Sequence, residues 1–349
     1  MGAVKALALT GYGLDNVMPC DVPDPAPGPH EVMVSISAAA LNRLDLWTLS
    51  GDLRIEHRFP HVLGGDGAGE IAAVGSEVKG MKPGQRVIVN PAISCGACEF
   101  CLAGEQSICT TFRMLGEHLP GTFAERTVVP VRNVFPAPEN LSFAEAAALG
   151  VTYITAYRML FTRGRLRPGE WILITGIGGG LAQSLLSLAQ GIAGKIFVTS
   201  SSNEKITRAV ELGADAGFNY NDEDVARAVR SATAKRGVDL VLDSAGGEVV
   251  DASLRALRKG GRAVLAGATS GGRAEIDVRR LFWNQLELIG STMGSQADVS
   301  DMLRFVSGRG IKPPIDRSYP LERGREALAY LQTGEQFGKV VLEVDGPTT

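Results

Sequence analysis

Apolar and polar positions change rhythm along the chain near residue 140. Through residues 1–128, short apolar alternations are broken by frequent proline and glycine turns, Pro23-Asp-Pro-Ala-Pro-Gly-Pro29 among them, with little helical period. That pattern predicts short strands joined by loops. After Asn140 strand-like runs alternate with helical ones. The run 171–175 is apolar and strand-like, glycine comes at once after it, and a helical pattern covers Gln183 to about Ile192. A second strand is expected over Lys195–Thr199, then a capped helix from Ser202. Further along, Val238–Asp243 reads as a buried strand, 247–258 as a helix, and Arg262–Ala268 and Leu286–Thr292 as strands. Repeated βα units predict a doubly wound parallel sheet with ligand at the carboxyl ends of its strands. The end of the chain reads as helix, a break at Pro313-Pro314, helix 321–333, strand Lys339–Val344 and a frayed tail from Gly346.

Length adds that one core is not enough. At 349 residues two domains are expected. Hydrophobic content of 45% suits an ordinary globular enzyme. The net charge of −3, without a Lys/Arg run, argues against nucleic acid or an anionic membrane as partner. No apolar stretch is long enough to span a bilayer. The start, MGAVKALALTGYG, lacks a long apolar run, so a signal peptide is not expected.

The densest chemistry is Cys95-x-x-Cys98-x-x-Cys101-x7-Cys109. Four thiolates on one short loop can close a tetrahedron around zinc, and such a site leaves no position open for substrate. Disulfides fit two-residue spacers poorly. An iron–sulfur cluster is the sharper rival, although Thr110 rather than proline stands after Cys109. The reading is one structural zinc per subunit, in a reducing cytoplasm that keeps thiols free. Cys20 remains, most simply as a small buried hydrophobe.

The glycine run Gly176-Ile-Gly178-Gly179-Gly180-Leu181-Ala182 joins strand to helix, which places backbone N–H groups and a helix N-terminus around a pyrophosphate. A tight turn without ligand is the plainer alternative; the continuing βα rhythm favours a dinucleotide. At the end of the second strand stands Thr199-Ser200-Ser201-Ser202-Asn203, with no carboxylate before Glu204. Hydroxyls there, with Lys205 or Arg208 nearby, suit a 2′-phosphate, so NADP(H) is expected over NAD(H).

Further motifs stand along the chain: Leu63-Gly-Gly-Asp-Gly-Ala-Gly-Glu70 with Val74-Gly75, Lys82-Pro-Gly-Gln-Arg-Val87, Gly121-Thr-Phe-Ala-Glu125 and Gly338-Lys339-Val340-Val341. With the cysteine lobe and the glycine turn, they make the chain resemble the medium-chain dehydrogenase/reductases, which include zinc alcohol dehydrogenases and quinone reductases. The resemblance implies an α/β protein: a GroES-like β-rich catalytic domain from 1–140 and 296–349, with a zinc lobe near 91–112, and a Rossmann domain over 141–295. It also implies a homodimer or homotetramer, the last Rossmann strand offering a free edge. Cofactor contacts carried over are Gly178, Gly179, Gly180 and Leu181 at the pyrophosphate, Ser200, Ser201 and Lys205 at the 2′-phosphate, and Thr152, Gly267 and Ser291 near the nicotinamide.

The departures from the family bear on mechanism. Its catalytic zinc ligands match Asn42, Gly65 and, at or near it, Val151 here, and none of these can replace a thiolate or imidazole. A substitute set from Asp45, Asp66, His61 and His118 is conceivable, though no pair shows ligand spacing. Without a Lewis acid, an activated C=C or a quinone is the better hydride acceptor, because its developing charge is spread over a conjugated system. The resemblance is then to zinc-free quinone and alkenal reductases, which share an Asn-x-x-Asp like Asn42–Asp45. Asn42 is the candidate substrate-orienting donor, Tyr153 a weaker one, and His118 a candidate proton donor or a plain loop histidine. The expected function is NADPH-dependent reduction of a small electrophile (enone, quinone or carbonyl). A zinc alcohol dehydrogenase with an atypical ligand set and a non-catalytic NADPH-binding protein are the alternatives.

Overall fold

The computed structural model describes residues 2–53 and 55–344, so the tail expected from Gly346 lies outside the described residues. The chain divides into two compact units, Met1–Ile154 with Gly294–Thr349, and Thr155–Met293. The sequence set the join at 140/141. The structure keeps the segment up to Ile154 with the first unit, where helix Phe143–Ala147 packs on strands Glu31–Ala40, Asp66–Val74 and Lys339–Glu343. Its capping box, Ser142 with Glu145, starts that helix.

The first unit is β-rich. Its main sheet runs in the order Val134–Pro136, Arg86–Val89, Asp66–Val74, Glu31–Ala40, Lys339–Glu343, Ile315–Pro320, with Arg126–Pro130 also pairing Glu31–Ala40. The strand Ile315–Pro320, absent from the sequence reading, pairs in parallel with Lys339–Glu343. A smaller sheet sets Val17–Pro23 and His61–Val62 on either side of Ala3–Leu9. Alternation in Glu31–Ala40 buries Val32, Val34 and Ile36 on one face, where they join Leu7, Phe123 and Leu342 in a single core. Each such side chain stabilises the fold by about 1.5–3 kcal/mol.

The second unit carries six parallel strands in the order Ala216–Asn219, Lys195–Ser200, Trp171–Ile174, Val238–Asp243, Leu257–Leu265, Glu287–Gly290. The sequence reading omitted Ala216–Asn219, a four-residue strand with two buried positions and too little pattern to register. Numbered by sequence the order is 3-2-1-4-5-6, the doubly wound arrangement whose crevice opens where the winding reverses. That reversal lies between Trp171–Ile174 and Val238–Asp243. The helix expected from Gln183 begins earlier, at Gly180, so the glycine turn feeds the helix directly.

Candidate functional site

Strand Lys339–Glu343 is apolar apart from its first and last residues, and Val340, Val341 and Leu342 are buried. Its first residue, Lys339, is only 4% exposed. A lysine is seldom so enclosed without a partner. Here Nζ donates to Oδ1 of Asn42 at 2.7 Å and to Oδ2 of Asp66 at 2.9 Å. Asn42 Nδ2 donates to the same Asp66 oxygen at 2.9 Å and to the carbonyl of Ala40 at 3.3 Å. The other Asp66 oxygen accepts the N–H of Val151 at 2.6 Å. The orientation of the Asn42 amide is dictated by its partners: an ammonium only donates, so Oδ1 must face it, and an ionised carboxylate only accepts, so Nδ2 must face that.

Asn42 also precedes helix Arg43–Ser50, and its N–H is received by Oδ2 of Asp45 at 2.7 Å. Burial pushes the Asp45 carboxyl up to about 7; the Asn42 N–H opposes the rise, the charge of Asp66 adds to it and Lys339 opposes it. Glycine lets these groups meet. A Cβ at Gly150 would lie 2.0 Å from Asp66 Oδ1, closing the path to the Val151 N–H. At Gly64, with φ +95°, a Cβ would lie 2.1 Å from the Phe123 ring.

The family's second metal fits poorly at these positions. Gly65 offers no donor, Val151 offers only its N–H, and both hydrogens of the Asn42 carboxamide are engaged within the protein. Nor do Asp45, Asp66, His61 and His118 converge. His61 is buried, and its Nε2 must donate to the Gly116 carbonyl at 3.1 Å. Burial, partly offset by that bond, lowers its pKa to about 4. His118 Nδ1 accepts the Met114 N–H at 3.2 Å. Burial, then the charges of Arg113 and His57, hold His118 below the ordinary imidazole range. Among the described residues, the one set of three or more such donors that gathers is Cys95, Cys98, Cys101 and Cys109.

Those four sulfurs lie within 4.8 Å of one another. Strands Ala92–Ile93 and Arg113–Met114 pair at the base of the lobe that carries them. Gly96, with φ +74°, turns the first knuckle. The Cys95 sulfur receives the N–H groups of Ala97 at 3.4 Å and Cys98 at 3.3 Å, and the Cys109 sulfur receives that of Cys95 at 3.3 Å. Such donors favour thiolates. Hydrogen bonding, first from the Thr110 backbone, lowers Cys98 to about 6. Burial pushes Cys101 up to about 11 before any metal is bound. The donor set fits a closed zinc site.

In the second unit the glycine turn lies against Lys205: a Cβ at Gly178 would come within 2.9 Å of its Cδ and Nζ. Thr199 Oγ1 accepts the Gly176 N–H at 3.2 Å, which fixes the turn to the end of the second strand. Ser200 is buried and its hydroxyl accepts the Ser202 N–H, whereas Ser201 is exposed. Ser202 caps the helix Asn203–Glu211, as expected, and sets Lys205 in its first turn. Gly179 and Gly180 lead into the next helix with Leu181 partly buried. Gly267 packs so closely on Ser244 that a Cβ would lie 2.2 Å from its carbonyl oxygen. The Ser291 hydroxyl is buried without a hydrogen-bond partner among the described residues. In the first unit, Thr152 is buried, and so is Tyr153, at 1% exposed.

Lys339 is the residue the sequence reading passed over. It lies inside the motif Gly338-Lys339-Val340-Val341, and its signal is a charge leading straight into an apolar run.

Comparison with known proteins gives a consistent picture. Residues 28–139 match the family "Alcohol dehydrogenase GroES-like domain", and 176–308 match "Zinc-binding dehydrogenase". An NAD-dependent alcohol dehydrogenase of Sulfolobus acidocaldarius is 32% identical over 98% of this chain and 100% of its own. A quinone oxidoreductase of Rattus norvegicus is 27% identical over 97% of each. The crystal structure of an NAD-dependent alcohol dehydrogenase, 40% identical, superposes with a TM-score of 0.93 over 98% of this chain and 100% of that one.

Proposed function

From the premise that the chain belongs to the medium-chain dehydrogenase/reductase superfamily and is an oxidoreductase of that type, we propose that it reduces an activated C=C bond, a quinone or a related carbonyl with NADPH, and does so without a catalytic zinc. The observation that carries this reading is the state of Asp66. Both its oxygens are occupied by donors from Lys339, Asn42 and Val151, and no soft ligand stands at 42, 65 or 151. A metal there would have to displace an ammonium from a buried carboxylate, and thiolate or imidazole ligands would still be wanting.

A reduced nicotinamide, when bound, supplies a hydride. The chain's own part is to hold and orient. The turn Gly178–Gly180 brings backbone N–H groups and a helix N-terminus to a pyrophosphate, with Leu181 next in line. Ser200, Ser201 and Lys205 suit a 2′-phosphate, since hydroxyls and an ammonium donate to it and no carboxylate repels it. The relatives named for NAD make NAD(H) the competitor to separate. Thr152, Gly267 and the buried Ser291 hydroxyl are assigned to the nicotinamide side, and His118 remains a candidate proton donor.

We assign one structural zinc to Cys95, Cys98, Cys101 and Cys109, and place the protein in a reducing cytoplasm. No helix among the described residues is long and apolar enough to cross a membrane. A homodimer or homotetramer would use the edge strand Glu287–Gly290, beside which Val278, Phe282 and Trp283 are 64%, 62% and 76% exposed.

The test is elemental analysis of the purified protein together with turnover. One zinc per subunit, with NADPH-dependent reduction of an enone or quinone, supports the proposal. Two metals per subunit with oxidation of simple alcohols would replace it by the zinc alcohol dehydrogenase reading. Tight NADPH binding without turnover of any electrophile would leave a binding protein.

A further inference from the structure

We propose that Lys339 is the built-in cation of the first unit's buried polar cluster, and that its remaining N–H meets the oxygen of the electrophile on which negative charge develops. The inference rests on the reductase reading above and goes beyond it by naming the group that takes the electrostatic place of a metal.

Three observations lead there. An ammonium has three hydrogens, and two of those on Lys339 go to Asn42 Oδ1 and Asp66 Oδ2. The third has no acceptor among the described residues. Second, the ammonium sits among the positions from which the family's second metal would be held. Asp66 is bonded at once by the Asn42 side chain, the Val151 N–H and Lys339. Third, the other polar hydrogens of this cluster are already placed. The Asn42 carboxamide has given both of its own to Asp66 and Ala40. Asn42 is therefore a positioning residue, and the donating role expected of it passes to its neighbour.

The chemistry balances without a metal. A hydride from the reduced nicotinamide forms a C–H bond at the β-carbon of an enone, the C=C electron pair moves toward the carbonyl, and the nicotinamide is left oxidised. The product is an enolate with its charge largely on oxygen. Lys339 donates a hydrogen bond to that oxygen and keeps its proton; water then protonates the α-carbon. A preorganised donor already paired with Asp66 needs no reorganisation as the charge appears.

Lys339→Met and Lys339→Arg test this, with zinc content and NADPH affinity measured on each. Neither reading depends on the ammonium, so both report folding. We expect Lys339→Met to lower kcat for enone reduction by roughly a hundredfold or more, the scale of losing one oxyanion donor. NADPH affinity should stay within about twofold, added Zn2+ should restore nothing, and Lys339→Arg should recover at least a tenth of the activity. If Lys339→Met does not fold, Lys339→Met with Asp66→Asn removes the unpaired buried carboxylate and is measured instead. A folded variant of either kind with kcat within threefold of wild type overturns the proposal. So does a loss that appears in KM alone, or one repaired by Zn2+. Failure of the reductase reading looks different: it shows in the wild-type protein as a second metal or as no reduction of any electrophile.

Discussion

Lys339 and Asp66 stand 273 positions apart in sequence, yet their charged atoms are 2.9 Å apart in an enclosed part of the first unit. A buried pair of this kind costs desolvation to assemble and costs more when half of it is removed. Asp66→Ala leaves the ammonium alone and frees the Asn42 amide and the Val151 N–H together. It should destabilise the first unit by about 3–5 kcal/mol, read as a lower thermal midpoint with the second unit's NADPH affinity unchanged. An unchanged midpoint would mean that the pair is not formed in solution.

Gly150→Ala tests the same cluster through the backbone. Its methyl group would meet Asp66 Oδ1 at 2.0 Å, so the Val151 N–H loses its acceptor or the strand shifts. We expect a loss of about 1–3 kcal/mol, the usual scale for overpacking. Gly104→Ala, where a Cβ meets nothing within 4 Å but φ is +83°, is the comparison for backbone strain alone.

Asp45 should leave a mark on the pH dependence of stability. Its folded-state pKa of about 7 exceeds its ordinary value, because burial resists ionisation. The folded state therefore holds that proton more tightly, and stability from this group is full at low pH and is lost as pH rises toward 7. His61, lowered to about 4 by burial, acts the other way: its contribution is present above the ordinary imidazole pKa and is lost as pH falls toward 4. A difference separates them. Asp45→Asn should raise the thermal midpoint relative to wild type at pH 8 and change it little at pH 4.5, whereas an equal shift at both would contradict an enclosed, protonatable carboxyl.

The cysteine lobe should behave as a closed metal site. Cys101→Ser should lose the zinc and lower the thermal midpoint while leaving NADPH affinity intact. In the wild-type protein a mercurial should release one zinc per subunit, measured with a colorimetric chelator. Release of iron or labile sulfide would point to a cluster instead.

Lys205 should separate the two cofactors. Its side chain lies against Gly178, and its ammonium suits a 2′-phosphate. Lys205→Ala should weaken NADPH about tenfold, near 1.4 kcal/mol, with NADH unaffected. Equal loss for both would place the lysine at the pyrophosphate.

How much of the molecule was written in the local sequence varies with range. The cysteine spacing made the sulfur cluster legible because all four side chains sit on one short lobe. The βα rhythm announced the second unit because its central strands are buried almost throughout and read as apolar runs, Val238–Asp243 being the clearest. The Ala216–Asn219 and Ile315–Pro320 strands were missed because short edge strands carry few buried positions. The first join was read at 140/141 because residues 141–154 look helical, as the second unit's own segments do; in the structure those residues pack with the β-rich unit. Asn42 and Asp66 were singled out from motif position, but their partner could not be. Nothing local in Gly338-Lys339-Val340 says that the ammonium turns inward to residues 297 and 273 positions earlier.

That long reach has a consequence for synthesis. The strand Glu31–Ala40 leaves the ribosome about three hundred residues before its neighbour Lys339–Glu343. Until then Ala38, Ala39 and Ala40 present an open edge, and the Asp66 carboxylate has no ammonium to meet. The second unit, contiguous from Thr155 to Met293, needs nothing from either end and is free to close first. The first unit therefore matures only once residues 339–343 have been made, and a nascent chain stalled short of residue 339 carries a finished nucleotide-type fold beside an unfinished β-domain.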